Sequence, residues 1–504
     1  MKKILSILTI LVLSFSSLFA ASMSPRVRSL PKNLQEQIFI DPKENIIDFT
    51  KALTNGIGDT ASKVKVIHDW ICDNIAYDCN VFTKEGAGEQ GYEAVLKKRK
   101  AVCVGYANLM AVMCKIVNIE AEIVYGWSKG FLYPGYLQEE SDHAWNAIKI
   151  GNSWKLIDVT WDAGFVERRT FIKRYTNQWY NLKPSQFIYS HLPEEEKWQL
   201  LPEKQIRSHE QFEKEPYISG VFFEYGLSLG KNAPNYKNEI IEATSFDFTS
   251  SNPKVSLTGD IKNDSSGVVV KQAVWFENSG NTKKFTFDVP DKENYTVGLG
   301  ARINGVTNNP PYFFKADFEQ NVFPKAQNLL AQKKITKNEF DLFEKAYYFV
   351  EQNGKYYFDE DLFNNPRNSA NTKILKLLER NTSRYETVLS FELKAAEDYS
   401  GFGKDVRRFP QMHGNYVNSS KIQVNSPFTG SLKKGSEQHF SITTNAFSHF
   451  AIVLPENEFV FFTKNQKNGS FELDFTIPEN VEKITIFASK NKRDFPALFS
   501  YDVK

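Results

Sequence analysis

The stretch Arg99-Lys100-Ala101-Val102-Cys103-Val104-Gly105-Tyr106-Ala107-Asn108-Leu109-Met110 sets a cysteine at the start of an apolar run with helical spacing. Met113, Cys114 and Val117 extend one broad apolar face, the pattern of a helix packed on a core. A thiol in the first turn of a helix is electrostatically special. The unsatisfied N–H groups and the dipole favour an anion there, and so favour the thiolate. Gly105 and Ala107 keep the neighbouring surface small, leaving room for a substrate. Read alone, Cys103 is a small core residue packing like valine. The residues downstream point elsewhere.

His143 follows in Asp142-His143-Ala144-Trp145-Asn146, and Asp158 in Leu156-Ile157-Asp158-Val159-Thr160-Trp161-Asp162. Thiol, imidazole and carboxylate are the parts of a nucleophile, its base and the group that orients the base. Strands are expected over Ala121 to Tyr125, Ala144 to Ile150 and Trp154 to Val159. A Gly151-Asn152 turn between the last two makes them neighbours. Asp158 is then the natural acceptor for the second ring nitrogen of His143, with Asp142 and Asp162 as competitors. An oxyanion hole would use the Cys103 N–H and one more donor; Gln90 and Tyr77 both remain open. His68, beside Asp69 on a helix, reads as a surface histidine. His191, His209, His413, His439 and His449 are dispersed, and no Cys/His spacing resembles a zinc site. No metal and no cofactor is expected, for no P-loop or dinucleotide fingerprint occurs.

Around this core the chain is long enough, at 504 residues, for several domains. After an approach segment over about 23–58, Asp59-Thr60 offers an N-cap to a helix carrying Val64, Ile67, Trp70, Ile71 and Ile75. Helices followed by antiparallel strands make an α+β domain. From about 215 the period becomes two: Phe285, Phe287 and Val289, then Phe471, Leu473, Phe475 and Ile477 after an Asn468-Gly469 turn. These short strands suggest β-sandwich (Ig-like) modules. A capping box at Thr336 to Glu339 and the run Ile374, Leu377, Leu378 mark helices inserted at about 320–385. The expected domains are an export signal over 1–21, an α+β catalytic domain over 22–201, a β-sandwich module with its helical insertion over 202–420, and a last β-sandwich over 421–504.

The signal is read from Lys2-Lys3, an apolar run from Ile4 to Phe19 and the small residues Ala20-Ala21-Ser22. That run is shorter than the roughly 20 residues of a membrane-spanning helix. Cleavage would leave a secreted, periplasmic or cell-envelope protein of bacterial type without stable membrane insertion. Export permits disulfides, but Cys72, Cys79, Cys103 and Cys114 all lie in one short stretch. Cys103 and Cys114 on one helix would be roughly 16 Å apart, beyond bridging reach. A bridge from Cys72 or Cys79 to Cys114 stays open. Lys+Arg exceed Asp+Glu by 62 − 60 = 2 with no long block of either sign, so neither nucleic acid nor a membrane surface is indicated as partner.

Several segments resemble the transglutaminase-like superfamily, in its kyphoscoliosis peptidase-like branch. They are Ile71 to Asp78 (ICDNIAYD), Arg99 to Leu109 (RKAVCVGYANL), His143 to Asn146 (HAWN), Leu156 to Gly164 (LIDVTWDAG), and the trailer Pro184 to Leu201 (PSQFIYSHLPEEEKWQLL). The resemblance covers roughly 60–201 and implies a papain-like α+β fold with Cys103, His143 and Asp158 as catalytic residues. Val104 departs from it, since relatives often carry Gln or Glu after the nucleophile. The expectation is a thiol enzyme acting on protein or peptide amides through a thioester, by hydrolysis ahead of acyl transfer. The alternative is an inactive surface protein whose β-sandwich modules bind a protein or envelope partner.

Overall fold

The computed structural model describes residues 23–504 except 84–85, 131–132, 134, 168, 271–272, 280, 304–312, 315–322, 347–350, 353–354, 357–384, 405, 414–421 and 456–457. The expected export signal and the run Ile374 to Leu378 lie outside the described residues. Among those described, no helix is long and apolar enough to cross a membrane. The chain divides into two compact units, one of 1–23 with 309–380 and one of 24–308 with 381–504.

In the first unit, helices Phe323–Ala331 and Lys337–Ala346 are described, with three short strands pairing in the order Phe313–Phe314, Lys355–Tyr356, Glu351–Gln352. The capping box is present. Thr336 Oγ1 accepts from Glu339 N at 3.1 Å, and Glu339 Oε2 accepts from Thr336 N at 2.8 Å.

The second unit opens with helices. Pro31 precedes one helix and Pro42 opens the next, and α1 (Lys32–Ile40) and α2 (Pro42–Thr54) occupy the approach segment. The Asp59 carboxylate accepts from Ser62 N at 2.8 Å and starts α3 (Thr60–Asn74). Short strands β1 (Ala76–Tyr77) and β2 (Lys100–Ala101) pair in parallel, with α4 (Tyr92–Lys98) between them. β2 leads straight into α5 (Cys103–Ile116). Tyr106, Leu109, Met110 and Met113 of α5 are fully buried, each contributing about 1.5–3 kcal/mol by burial.

α5 packs on a four-stranded antiparallel sheet of β3 (Ala121–Ser128), β4 (His143–Ile150), β5 (Ser153–Ile157) and, further along, β8 (His191–Pro193). The spatial order is β5-β4-β3-β8. β5 stops at Ile157, short of the expected Val159, because Asp158 caps a single helical turn, α6 (Val159–Ala163). A small separate hairpin, β6 (Gly164–Glu167) with β7 (Thr170–Lys173), follows.

Beyond this layer lie two β-sandwiches. In the first, the sheet holding Thr244–Ser250 and Thr282–Phe287 faces the sheet holding Asn294–Ile303 and Glu386–Ala395. Phe246 and Phe287 both meet Phe391 across the gap, at 5.3 and 5.5 Å between rings. In the second, Phe440 meets Tyr501 and Phe450 meets Phe471 in the same way. The last module begins before 421, since Gln411–Met412 pairs with the closing strand Ala497–Val503. Trp275 stands edge-on to Phe428 and Phe499, so the two sandwiches share one apolar core.

One position in β3 decides how the site is assembled. Gly126 pairs with His143 on one side and Pro193 on the other. A Cβ there would overlap the Leu192 carbonyl oxygen and the Trp145 ring. Gly126→Ala is therefore expected to destabilise the fold by about 1–3 kcal/mol, read as a fall in the thermal midpoint. Gly58→Ala, where a Cβ meets nothing within 4 Å, should cause no loss.

Candidate active site

Cys103 is the first residue of α5, and its predecessor Val102 caps the helix with no side-chain hydrogen bond. Gly105 N and Tyr106 N donate to the Val102 carbonyl at 2.9 and 3.1 Å, which winds the first turn tightly. The approach to that turn is fixed from two sides. Tyr77 of β1 lies in register with Ala101 of β2, and Gln90 Oε1 accepts from Val102 N at 2.9 Å. The Gln90 amide nitrogen donates to the carbonyls of Ala87 and Gly88, both at 3.1 Å. Gln90 thus positions the backbone that leads into Cys103, and both ends of its amide are occupied.

All four cysteines are free, so the bridge left open to Cys114 does not form. Cys72 lies in the last turn of α3, and Cys79 falls beyond that helix on a 3-10 turn. Burial raises the pKa of the Cys72 and Cys79 thiols and pushes Cys114 up to about 12. Cys103 is half-buried at the domain's surface.

His143 is the first residue of β4 and is held on α5 by its own strand, where Asn146 Nδ2 donates to the Ala107 carbonyl at 3.0 Å. Its Nε2 lies 2.8 Å from Asp158 Oδ2. That leaves Nδ1 for another partner, and Cys103 is near enough to act on the ring's protonation. Burial alone would push the His143 pKa down. The Asp158 charge and hydrogen bond, with the Cys103 contact, outweigh it and hold it at about 10.

Asp158 is fully buried, which would raise its pKa, yet His143 and His191 together hold it below the usual carboxylate range. Its Oδ1 accepts from Thr160 N at 2.8 Å and Trp161 N at 3.2 Å, the capping bonds of α6. Its Oδ2 accepts from His143 and also from His191 Nε2 at 3.2 Å. His191, which the sequence left without a role, thus stands in the site. The signal that could have found it is its place in the SHLP trailer.

The competing carboxylates are engaged elsewhere. Asp142 Oδ1 accepts from Ser128 N at 2.8 Å. Asp162 accepts from Thr176 Oγ1 and Trp179 N at 2.5 and 3.2 Å, and its other oxygen is 3.1 Å from His68 Nε2. His68 is therefore not a surface residue. It is fully buried, with Asp69 Oδ1 at 3.0 Å from its Nδ1 and Cys72 Sγ 3.7 Å from its Nε2. Local periodicity could not show this, because Asp162 lies 94 residues away.

His143, Asp158 and His191 each bring a ligand atom within 4.8 Å of the others, a grouping a divalent ion could also bridge. The separations of 2.8 and 3.2 Å to Asp158 Oδ2 are those of N–H···O hydrogen bonds.

Residues 47–159 match the family model of the Transglutaminase-like superfamily, a span that includes Cys103, His143 and Asp158. The chain carries a transglutaminase-like domain. It is similar to the kyphoscoliosis peptidase of Mus musculus, 31% identical over 217 residues, covering 40% of this chain and 32% of that one. To the kyphoscoliosis peptidase of Homo sapiens it is 34% identical over 171 residues, covering 33% of this chain and 25% of the relative. The chain thus spans about a third or less of the length of these relatives. A solved TGase structure overlaps 30% of this chain and 38% of its own at 20% identity, with a TM-score of 0.20, too slight a likeness to argue from.

The geometry makes a selective prediction about thiol reactivity. Iodoacetamide at pH 6–7, followed by peptide mass spectrometry, should label Cys103 well ahead of Cys72, Cys79 and Cys114. His143→Ala should slow that labelling at least about tenfold, since a free thiol is mostly protonated below about pH 8.5.

Proposed function

We propose that this transglutaminase-like domain is a thiol enzyme acting on protein or peptide amides, with Cys103 as nucleophile, His143 as acid and base, and Asp158 as the group that orients His143. The observation that carries the proposal is the 2.8 Å bond from His143 Nε2 to the buried Asp158, the cap of α6, which leaves Nδ1 to serve the Cys103 thiol at the start of α5. Such an arrangement favours a protonated His143 at rest, ready to serve the thiol.

In the first half-reaction the Cys103 sulfur attacks the carbonyl carbon, and the electron pair of the C=O moves to oxygen. The oxyanion collapses, the C–N bond breaks, and His143 Nδ1 gives its proton to the departing amine. A thioester on Cys103 remains. In the second half-reaction His143, now neutral, takes a proton from water, the resulting hydroxide equivalent displaces sulfur, and a carboxylic acid leaves. A lysine amine in place of water would complete acyl transfer instead. We place hydrolysis ahead of transfer; the peptidase names of the two mammalian relatives support that order.

The oxyanion would meet the N–H groups of the uncapped first turn of α5. For the second donor, Gln90 is a poor candidate, because its amide nitrogen already serves Ala87 and Gly88. Tyr77 fits better. It sits in register two residues before the nucleophile, and burial with the nearby charge of Cys103 holds its pKa far above the usual phenol value. The phenol therefore keeps its proton and can donate it as a hydrogen bond. Export to the cell envelope, through the segment before residue 22, completes the proposal.

Two assays on the full chain test it: release of amines from a fluorogenic peptide-amide set, and incorporation of a labelled amine into casein. Cys103→Ala should abolish whichever activity wild type shows, a loss of at least about 1,000-fold. Equal rates in both proteins would sink the proposal. Tyr77→Phe should lower turnover by about 10- to 1,000-fold while Cys103 alkylation stays within twofold of wild type.

A further inference from the structure

We infer that His191 is a positioning residue of this site: a neutral imidazole whose Nε2–H is the second hydrogen-bond donor to Asp158 Oδ2, holding the carboxylate beneath His143 and sharing its charge. The inference rests on the functional reading above and extends it to a residue outside the matched span 47–159.

An ionised carboxylate has about four acceptor positions, and Asp158 fills four, two by backbone N–H of α6 and two by imidazole nitrogens. A buried anion persists only when it is bonded in this way. The strand register explains how a residue 33 positions later arrives there. On β3, Gly126 pairs with His143 of β4, while Ser128, two residues on, pairs with His191 of β8. Residues two apart share a sheet face, so both rings look the same way from strands that flank β3.

The tautomer follows from the other nitrogen. His191 Nδ1 stands 2.8 Å from Ser190 Oγ. With Nε2–H given to Asp158, a neutral ring must accept at Nδ1; the Ser190 hydroxyl, which also reaches the Phe187 carbonyl at 3.2 Å, gives its single proton to the nearer Nδ1. The ring is completely buried, stacked on Phe187 at 4.1 Å and ringed by Trp161, Trp145 and Trp179 at 4.5, 5.0 and 5.2 Å. Burial outweighs the Asp158 charge and pushes its pKa down to about 4. His143 and His191 are thus two imidazoles on one carboxylate oxygen in opposite charge states. If Oδ2 lost His191, its charge would rest on His143 alone, tightening that bond and making His143 a more reluctant acid.

The test is nitrogen-15 NMR of the histidine rings in full-length protein at pH 7, with thermal midpoints alongside. Wild type should show His191 neutral, protonated at Nε2 and bare at Nδ1. His191→Phe keeps the ring volume but loses the donor, and should move the His143 Nε2–H proton downfield. His191→Gln restores a donor and should return it toward wild type. Should His191→Phe fail to fold, Ser190→Ala is expected to weaken the Nε2–H tautomer and shift the His143 proton the same way by less. A His191 imidazolium, an Nδ1–H tautomer, or His143 signals identical in wild type and variant despite a lower midpoint would overturn the inference. Failure of the functional reading is distinguishable, since it appears as Cys103 alkylation indifferent to His143, with these ring signals unaffected.

Discussion

The Asp158 carboxylate is the point on which the α+β layer turns. It ends β5, caps α6 and receives two histidines from strands that are not sequence neighbours. An ionised group at zero exposure is expensive unless every acceptor position is used. That requirement couples chain segments with no other reason to meet. α6 must wind so that Thr160 and Trp161 present their N–H groups, and β4 and β8 must both reach β3 in the right register. Removing any donor leaves the charge short of a partner, so the site and the local fold share the same bonds.

The apolar layer makes this coupling rigid. α5 is buried along most of its length and lies on β3 and β4, and the Asn146 bond to the Ala107 carbonyl fixes their relative sliding. Because interiors pack at crystal-like density, a shift at Ala107 would be felt at Cys103 one turn earlier. The aromatic box of Trp145, Trp161, Trp179 and Phe187 excludes water from the imidazole–carboxylate bonds, where lower dielectric strengthens them.

Much of this was legible in the chain because it is local. The cysteine at a helix start follows from apolar spacing, and Gly151, at φ 62°, turns β4 into β5 so that Asp158 returns beside His143. Asp59 and the Thr336 box cap helices as their side chains require. What stayed hidden is non-local. Ser128 and His191 pair across a sequence separation of 63 that no periodicity encodes, and His68 meets Asp162 across one of 94. The expected strand ran one residue into α6 because Val159 is a strand former, a preference that the Asp158 cap overrides. Pro31 and Pro42 were helix-start signals overlooked in a segment otherwise lacking strong pattern.

The domain holds a second set of the same residue types, Cys72, His68 and Asp162, with sulfur 3.7 Å and carboxylate 3.1 Å from the same imidazole nitrogen. Composition and distance therefore do not tell the two cysteines apart. Position on the helix does. Cys72 sits in the last turn of α3, where the dipole opposes an anion, and burial raises its pKa. Cys103 opens α5, where the dipole favours one, and keeps access to solvent. In the buried set one nitrogen, Nε2, faces both sulfur and Asp162, while Nδ1 is taken by Asp69. Asp162 therefore competes with Cys72 for the same ring nitrogen, whereas His143 meets Asp158 through Nε2 and keeps Nδ1 apart from that carboxylate. The buried set instead ties α3 to α6, which keeps the Asp158 cap in place from behind.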